Sequence, residues 1–144
     1  MAELRLDRRF DAPPARVFSF ITEAEGLLQW WVPEGTTAGE RQLDLTQTGP
    51  WRLVLTSPGG GETIMSGTVL SIDPPRAIEL TFDVAYGGMA PMPSTVRFEL
   101  VPDGAGTTLT VIQSGISEDM VMMGMTRGWP TTFDRLERAL AALA

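Results

Sequence analysis

The sequence predicts an α+β fold in which an antiparallel sheet of about seven strands packs against one long C-terminal helix. Three observations lead there. From Arg41 to Gly115, six strand-like runs follow one another with only turn chemistry between them. From Ser117 to the end, apolar residues keep a single helical stripe. Ahead of both, an alternating segment and two short helical patterns give the order strand, two helices, six strands, helix.

The C-terminal stripe organises the rest. Ser117, Glu118 and Asp119 form a helix start, a hydroxyl able to accept from an orphan backbone N–H followed by two carboxylates at the positive end of the dipole. Val121, Met125, Trp129, Phe133, Leu136, Leu140 and Leu143 then recur at steps of three or four. Such a helix runs on the order of 40 Å, enough to cross a small domain. Pro130 has no N–H for the carbonyl of Thr126 and its ring crowds that carbonyl, so a bend or break is expected from Arg127 to Trp129. Gly124 and Gly128 soften the same turn.

At the N-terminus Leu4, Leu6, Arg8 and Phe10 alternate with Glu3, Arg5, Asp7 and Arg9, the period of a strand with one buried face. Pro13 and Pro14 open a short helix with Val17, Phe18 and Ile21 inside. Thr22 and Glu25 make a capping-box pattern for a second helix through Leu27, Leu28 and Trp31, closed by Pro33 and Gly35.

The six strand runs are RQLDL, WRLVLTS, ETIMSGTVLSI, RAIELTFDV, STVRFELV and TTLTVIQSG, separated by QTGP, PGGG, DPPR, the longer AYGGMAPMP, and PDGAG. Folding the last hairpin about Asp103 to Gly106 sets Leu100 opposite Leu109, Phe98 opposite Val111 and Val96 opposite Gln113, with Arg97, Glu99 and Thr110 on the other side. One strand earlier, Ile78, Leu80, Phe82 and Val84 are the apolar set. For the hairpin across Pro58 to Gly61 the face stays open, because Trp51, Leu53, Leu55 and Ile64 compete with Val54, Met65 and Val69.

A chain of 144 residues is the size of one domain, 1–144, with one core. Eleven basic residues, all arginine, and eighteen acidic ones leave a net charge of −7, which disfavours nucleic acid and anionic membrane surfaces as partners. The arginines form no basic patch. Without cysteine, histidine or lysine there is no thiol, imidazole or Schiff-base chemistry, and neither a metal nor a cofactor is expected. The first ten residues alternate instead of forming a signal sequence, no apolar run reaches membrane-spanning length, and the lack of cysteine fits a cytoplasmic protein.

APPARVFSFIT, the WWVPEG at Trp30 to Gly35, the GPW at Gly49 to Trp51, the DPPRAIELTF at Asp73 to Phe82, and the closing GW followed by FDRLERAL together resemble the activator of heat shock protein 90 ATPase homologue family. That family is a branch of the START-like, polyketide-cyclase-related superfamily, and the resemblance spans nearly the whole chain in order. It implies the helix-grip fold, a curved antiparallel sheet around a long C-terminal helix with a cavity between them. Members of the superfamily bind lipids, hormones and polyketides, and some cyclise or hydrolyse them. The family's heat-shock association implies a link to stress response. Eukaryotic activators carry a further N-terminal domain that supplies much of the chaperone contact, and these 144 residues leave no room for it. Pro130 after the GW pair departs from the expected helix.

The function expected first is binding of a small apolar or amphipathic ligand between sheet and helix. The candidate ligand-binding residues are Trp31, Trp51, Phe82, Tyr86, Phe98, Gln113, Met122, Met125, Trp129 and Phe133. The tryptophans either wall a pocket or fill the core, and Gln113 either orients a ligand or meets water or backbone at the sheet's end. The second reading is a cyclase or hydrolase in which a carboxylate such as Asp83 or Asp134, or Tyr86, positions water. No spacing pairs two carboxylates, so no catalytic residue is assigned. The third is an interaction module using the thioethers of Met120, Met122, Met123 and Met125 on a chaperone or another partner, and a homodimer is compatible with it. The segment from Met89 to Pro93 and the turns around Gly124 and Gly128 are the expected mouth.

Overall fold

The computed structural model describes residues 2–32, 35–86 and 92–142, without the side chains of Tyr86 and Met92. Its elements are β1 (Ala2–Phe10), α1 (Pro14–Thr22), α2 (Ala24–Trp31), β2 (Thr37–Gln42), β3 (Gly49–Thr56), β4 (Glu62–Asp73), β5 (Ala77–Tyr86), β6 (Met92–Asp103), β7 (Gly106–Ile116), α3 (Glu118–Met123), a π-helical turn (Gly124–Gly128) and α4 (Trp129–Ala141). The strands form one antiparallel sheet in the order β1-β7-β6-β5-β4-β3-β2. Six strands lie beside their sequence neighbours because short turns permit nothing else. β1 alone is carried across by the helix pair, to the far side of β7.

The hairpin register inferred from the last turn holds: Leu100 faces Leu109, Phe98 faces Val111 and Val96 faces Gln113. In the hairpin whose face was open, Trp51 pairs with Gly67 and Leu53 with Met65, so Trp51, Leu53 and Leu55 join Met65 and Val69 on the inner face. Val54 and Ile64 pair on the outer one. The turn sets this register, through the Ser57 N–H donating to Gly61 O at 2.8 Å.

Two local expectations change, and a third, the disturbance before Pro130, takes a specific form. Thr22 does not cap α2; its hydroxyl donates to Phe18 O at 3.0 Å within α1, and Glu23 takes the cap position without a side-chain bond. The strand expected at Arg41 to Leu45 begins and ends earlier, because Leu43 and Leu45 are drawn into the core and the Leu45 N–H donates to Thr22 O. The long helix is divided. Ser117 Oγ accepts from the Met120 N–H at 3.2 Å and starts α3 as expected, but the bend before Pro130 takes the form of the π-helical turn, whose Trp129 N–H reaches Gly124 O. A wider turn lets the backbone accommodate a proline that has no N–H to offer. Pro33, expected to close α2, and residues 89–91 of the expected mouth lie outside the described residues.

The core lies between the inner face of the sheet and α1, α2 and α4. Trp30, Phe10, Phe98, Phe133, Leu80 and Val111 are almost fully enclosed there. Gly26 allows the two short helices to approach, since a Cβ at this position would stand 2.6 Å from Phe20 Cα. Trp30 Nε1 donates to Phe20 O across the same contact.

Candidate functional site

Along the inner face, burial is not uniform. On β5, Ile78 and Leu80 are fully buried, whereas Phe82 and Val84 are half-buried; on β4, Val69 is buried and Met65 half-buried. The cause is the cover. α4 bears on the closed end through Phe133, Leu136 and Leu140, while α3 and the π-helical turn pack on edge strand β1 and bury no residue of their own. Among the described residues, the apolar face therefore continues beyond its full cover, toward an open end.

Eight of the ten expected residues form two ring clusters and their neighbours. Trp31 meets Trp51 edge-on at 5.4 Å and Phe82 at 5.6 Å, linking α2, β3 and β5. Phe98 meets Trp129 at 5.8 Å, and Trp129 meets Phe133 at 5.8 Å, linking β6 to α4. Phe98 and Phe133 are completely enclosed by these contacts, Trp51 nearly so, and Met125 packs against the core from the π-helical turn. Met122 stands apart, 65% exposed on α3. The side chain of Tyr86 lies outside the description.

Trp30 bridges the two clusters, 5.9 Å from Trp31 and 6.1 Å from Phe98, and Gln113 adds a polar link. Trp129 Nε1 donates to Gln113 Oε1 at 3.0 Å, Gln113 Nε2 donates to Ser94 Oγ at 3.0 Å, and Ser94 Oγ donates to Phe82 O at 3.0 Å. This chain of donors crosses α4, β7, β6 and β5. An indole N–H only donates and a carbonyl only accepts, so the direction is set at both ends and with it the orientation of the amide. Sequence reasoning placed Gln113 on the apolar face but missed both of its side-chain partners. Ser94 was detectable, since one more step of the inferred alternation from Val96 puts it on the same face.

Trp51 depends on a second feature that the sequence reading passed over. It lies across the strand from Gly67, and its Nε1 donates to Thr81 O on β5 at 3.2 Å. A Cβ at Gly67 would collide with Thr81 O. The Thr68 N–H turns instead to Thr81 Oγ1 at 2.7 Å. An isolated glycine within a strand run signals such a close approach.

The charged candidates lie elsewhere. Arg8, on the inner side of β1, donates to Asp134 Oδ1 at 2.6 Å and to Pro130 O at 3.4 Å, with its guanidinium 5.7 Å from the Phe133 ring centre. Asp134 is thus the half-exposed partner of an arginine that holds down the start of α4. Asp83 pairs with Ser66 on the outer face, and Arg52 is bonded to Glu40. Donation from the Thr46 hydroxyl, the Thr46 N–H and Gln47 holds the Asp44 carboxyl below the usual aspartate value. It sits in an exposed turn, away from the ring clusters. No group of three metal-ligating side chains occurs among the described residues. None of their helices is long and apolar enough to cross a membrane.

An open hollow of about 360 Å³ lies between α2 and α4, lined by Gln29, Val32, Arg135, Arg138 and Ala139. None of the ten expected residues lines it.

The model of the family described as activator of Hsp90 ATPase homolog 1-like protein matches residues 11–141. Among solved structures, the AHSA1 protein from Silicibacter pomeroyi is 29% identical with a TM-score of 0.87, over 99% of this chain and all of that one. A protein from Nitrosomonas europaea is 25% identical with a TM-score of 0.80, over 99% of this chain and 96% of that one. CalU16 from Micromonospora echinospora is 26% identical with a TM-score of 0.70, over 95% of this chain and 74% of that one. No curated protein matches.

Proposed function

The chain belongs to the activator of Hsp90 ATPase homolog 1-like family, and on that premise we propose that it binds a small apolar or amphipathic molecule at the open end of the inner face. One observation carries the reading. The apolar row of the sheet goes on through Phe82, Val84 and Met65 after its complete cover ends, so these side chains keep surface that a ligand can desolvate. Trp31, Trp51, Met125 and Trp129 border that surface, and Gln113 supplies a polar group beside it. Phe98 and Phe133 support the rings that face the ligand. A cytoplasmic location accords with the absence of cysteine.

Native mass spectrometry of the protein purified from its own organism tests this. A reproducible additional mass of a few hundred daltons, lost on denaturing extraction and diminished in Met125→Trp, is the expected result. Bare protein, with no uptake of the neutral dye N-phenyl-1-naphthylamine, would overturn it.

A second reading has its own observation. Met120, Met122 and Met123 are exposed together on α3, with Met122 and Met123 at 65% and 60%. Flexible thioethers on a solvated helix suit an adaptable protein contact, the role the family name suggests toward a heat-shock chaperone and a stress response. The acid–base reading has less behind it, because Asp134 is paired with Arg8 and Asp83 faces outward.

A further inference from the structure

From the polar chain at the open end we infer that the ligand is electrically neutral and presents a carbonyl or hydroxyl oxygen to the amide of Gln113; this deepens the binding function proposed above and rests on it. Along the inner faces of β1 and β3 to β7, Arg8 is the only charged side chain among the described residues. Its guanidinium is engaged by Asp134, Pro130 O and the Phe133 ring. A carboxylate or ammonium entering beside Phe82 would lose hydration without meeting an opposite charge on these strands, which disfavours it. The net charge of −7 opposes anions further.

The polar groups at the same place are matched to a neutral partner. Donation runs from Trp129 through Gln113 and Ser94 to Phe82 O, and each link uses one hydrogen. A primary amide carries two N–H donors and two acceptor lone pairs, so these links leave one N–H and one lone pair of half-buried Gln113. The remaining N–H suits a ketone, ester or aldehyde oxygen, and N–H and lone pair together suit a hydroxyl. The chain also holds the amide in one orientation, so that donor needs no reordering when a ligand arrives.

The test uses four eight-carbon probes with the wild-type protein: 2-octanone, 1-octanol, octanoate and octylammonium at neutral pH. NMR titration follows the Gln113 side-chain amide and the Trp129 indole N–H, with toluene as an apolar control without an oxygen. The ketone and the alcohol should bind at least about tenfold more tightly than either ion, as an unpaired charge in this site requires. Gln113→Met should weaken 2-octanone about tenfold, the size of a lost hydrogen bond that leaves a polar group unsatisfied, and leave toluene unchanged. Octanoate or octylammonium binding as tightly as the neutral probes overturns the inference, and so does 2-octanone binding that leaves the Gln113 amide unshifted. If toluene and all four probes leave the inner-face resonances unmoved, the binding function itself falls. Should Gln113→Met not fold, the wild-type probe comparison decides alone.

Discussion

The two ends of the inner face have similar side chains and different surroundings. At the closed end Phe98 lies between Trp30 at 6.1 Å and Trp129 at 5.8 Å, and no part of it is accessible. Further along the same face, Phe82 has Trp31 and Trp51 at 5.6 and 5.5 Å and remains half-buried. Both are phenylalanines on inner-facing strand positions. What separates them is the cover: Trp30 of α2 and Trp129 of α4 close over Phe98, while α3 and the π-helical turn rest on β1 at the sheet's margin. The boundary is marked by Ser94 and Gln113, where polar side chains enter the apolar row. Apolar patterning thus specifies a face, and the position of the cover decides how much of that face becomes core.

The strongest challenge to this contrast is truncation of the two rings. Phe98→Ala should cost about 3–5 kcal/mol in urea denaturation, and Phe82→Ala roughly half as much, because less surface returns to water and solvent fills the gap. Equal losses would mean that the two ends are equally covered. Gly67→Ala should cost about 1–3 kcal/mol, since its Cβ must displace Thr81 O, and should shift the Trp51 indole N–H resonance as that bond is lost. An unperturbed indole signal would show that Trp51 does not need the bare backbone at Gly67. The smallest effect belongs to α3. Met122→Ser and Met123→Ser should each change stability by no more than about 0.5 kcal/mol, as expected for exposed positions. A larger loss would place these methionines against the body of the protein.

Periodicity made most of the fold legible. The hairpin at Asp103 to Gly106 left one plausible register, and the pairs from Val96 with Gln113 to Leu100 with Leu109 followed. The hydroxyl of Ser117 announced a cap that the structure contains. Competition at short range was harder to see. Thr22 had two backbone partners within reach, one behind it and one ahead, and the capping-box spacing shows only the second. Trp51 and Val54 were comparable as inward residues until the turn register placed Trp51 over Gly67, where a large ring has room.

The candidate site was legible as a list and not as an arrangement. Trp31, Trp51 and Phe82 are separated by twenty to fifty-one residues in the sequence, and nothing local says that their rings touch. Met122 and Met125 share a stretch of chain, yet Met122 points to solvent and Met125 packs inward, because a helix turns consecutive side chains to different sides.

Acting alone, the sequence determined the class of fold, the order of elements, the apolar faces of the last hairpins, the cap at Ser117 and the disturbance before Pro130. Each is a short-range consequence of backbone geometry and side-chain period. Only the tertiary structure decided that Gln113 would meet Trp129 and Ser94, that Arg8 would close over the start of α4, and that Phe82 would stay half-covered while Phe98 was sealed. Those outcomes depend on where separately formed elements come to rest against one another, since a long-range contact forms only when burial and hydrogen bonding at both partners outweigh the entropy of bringing them together.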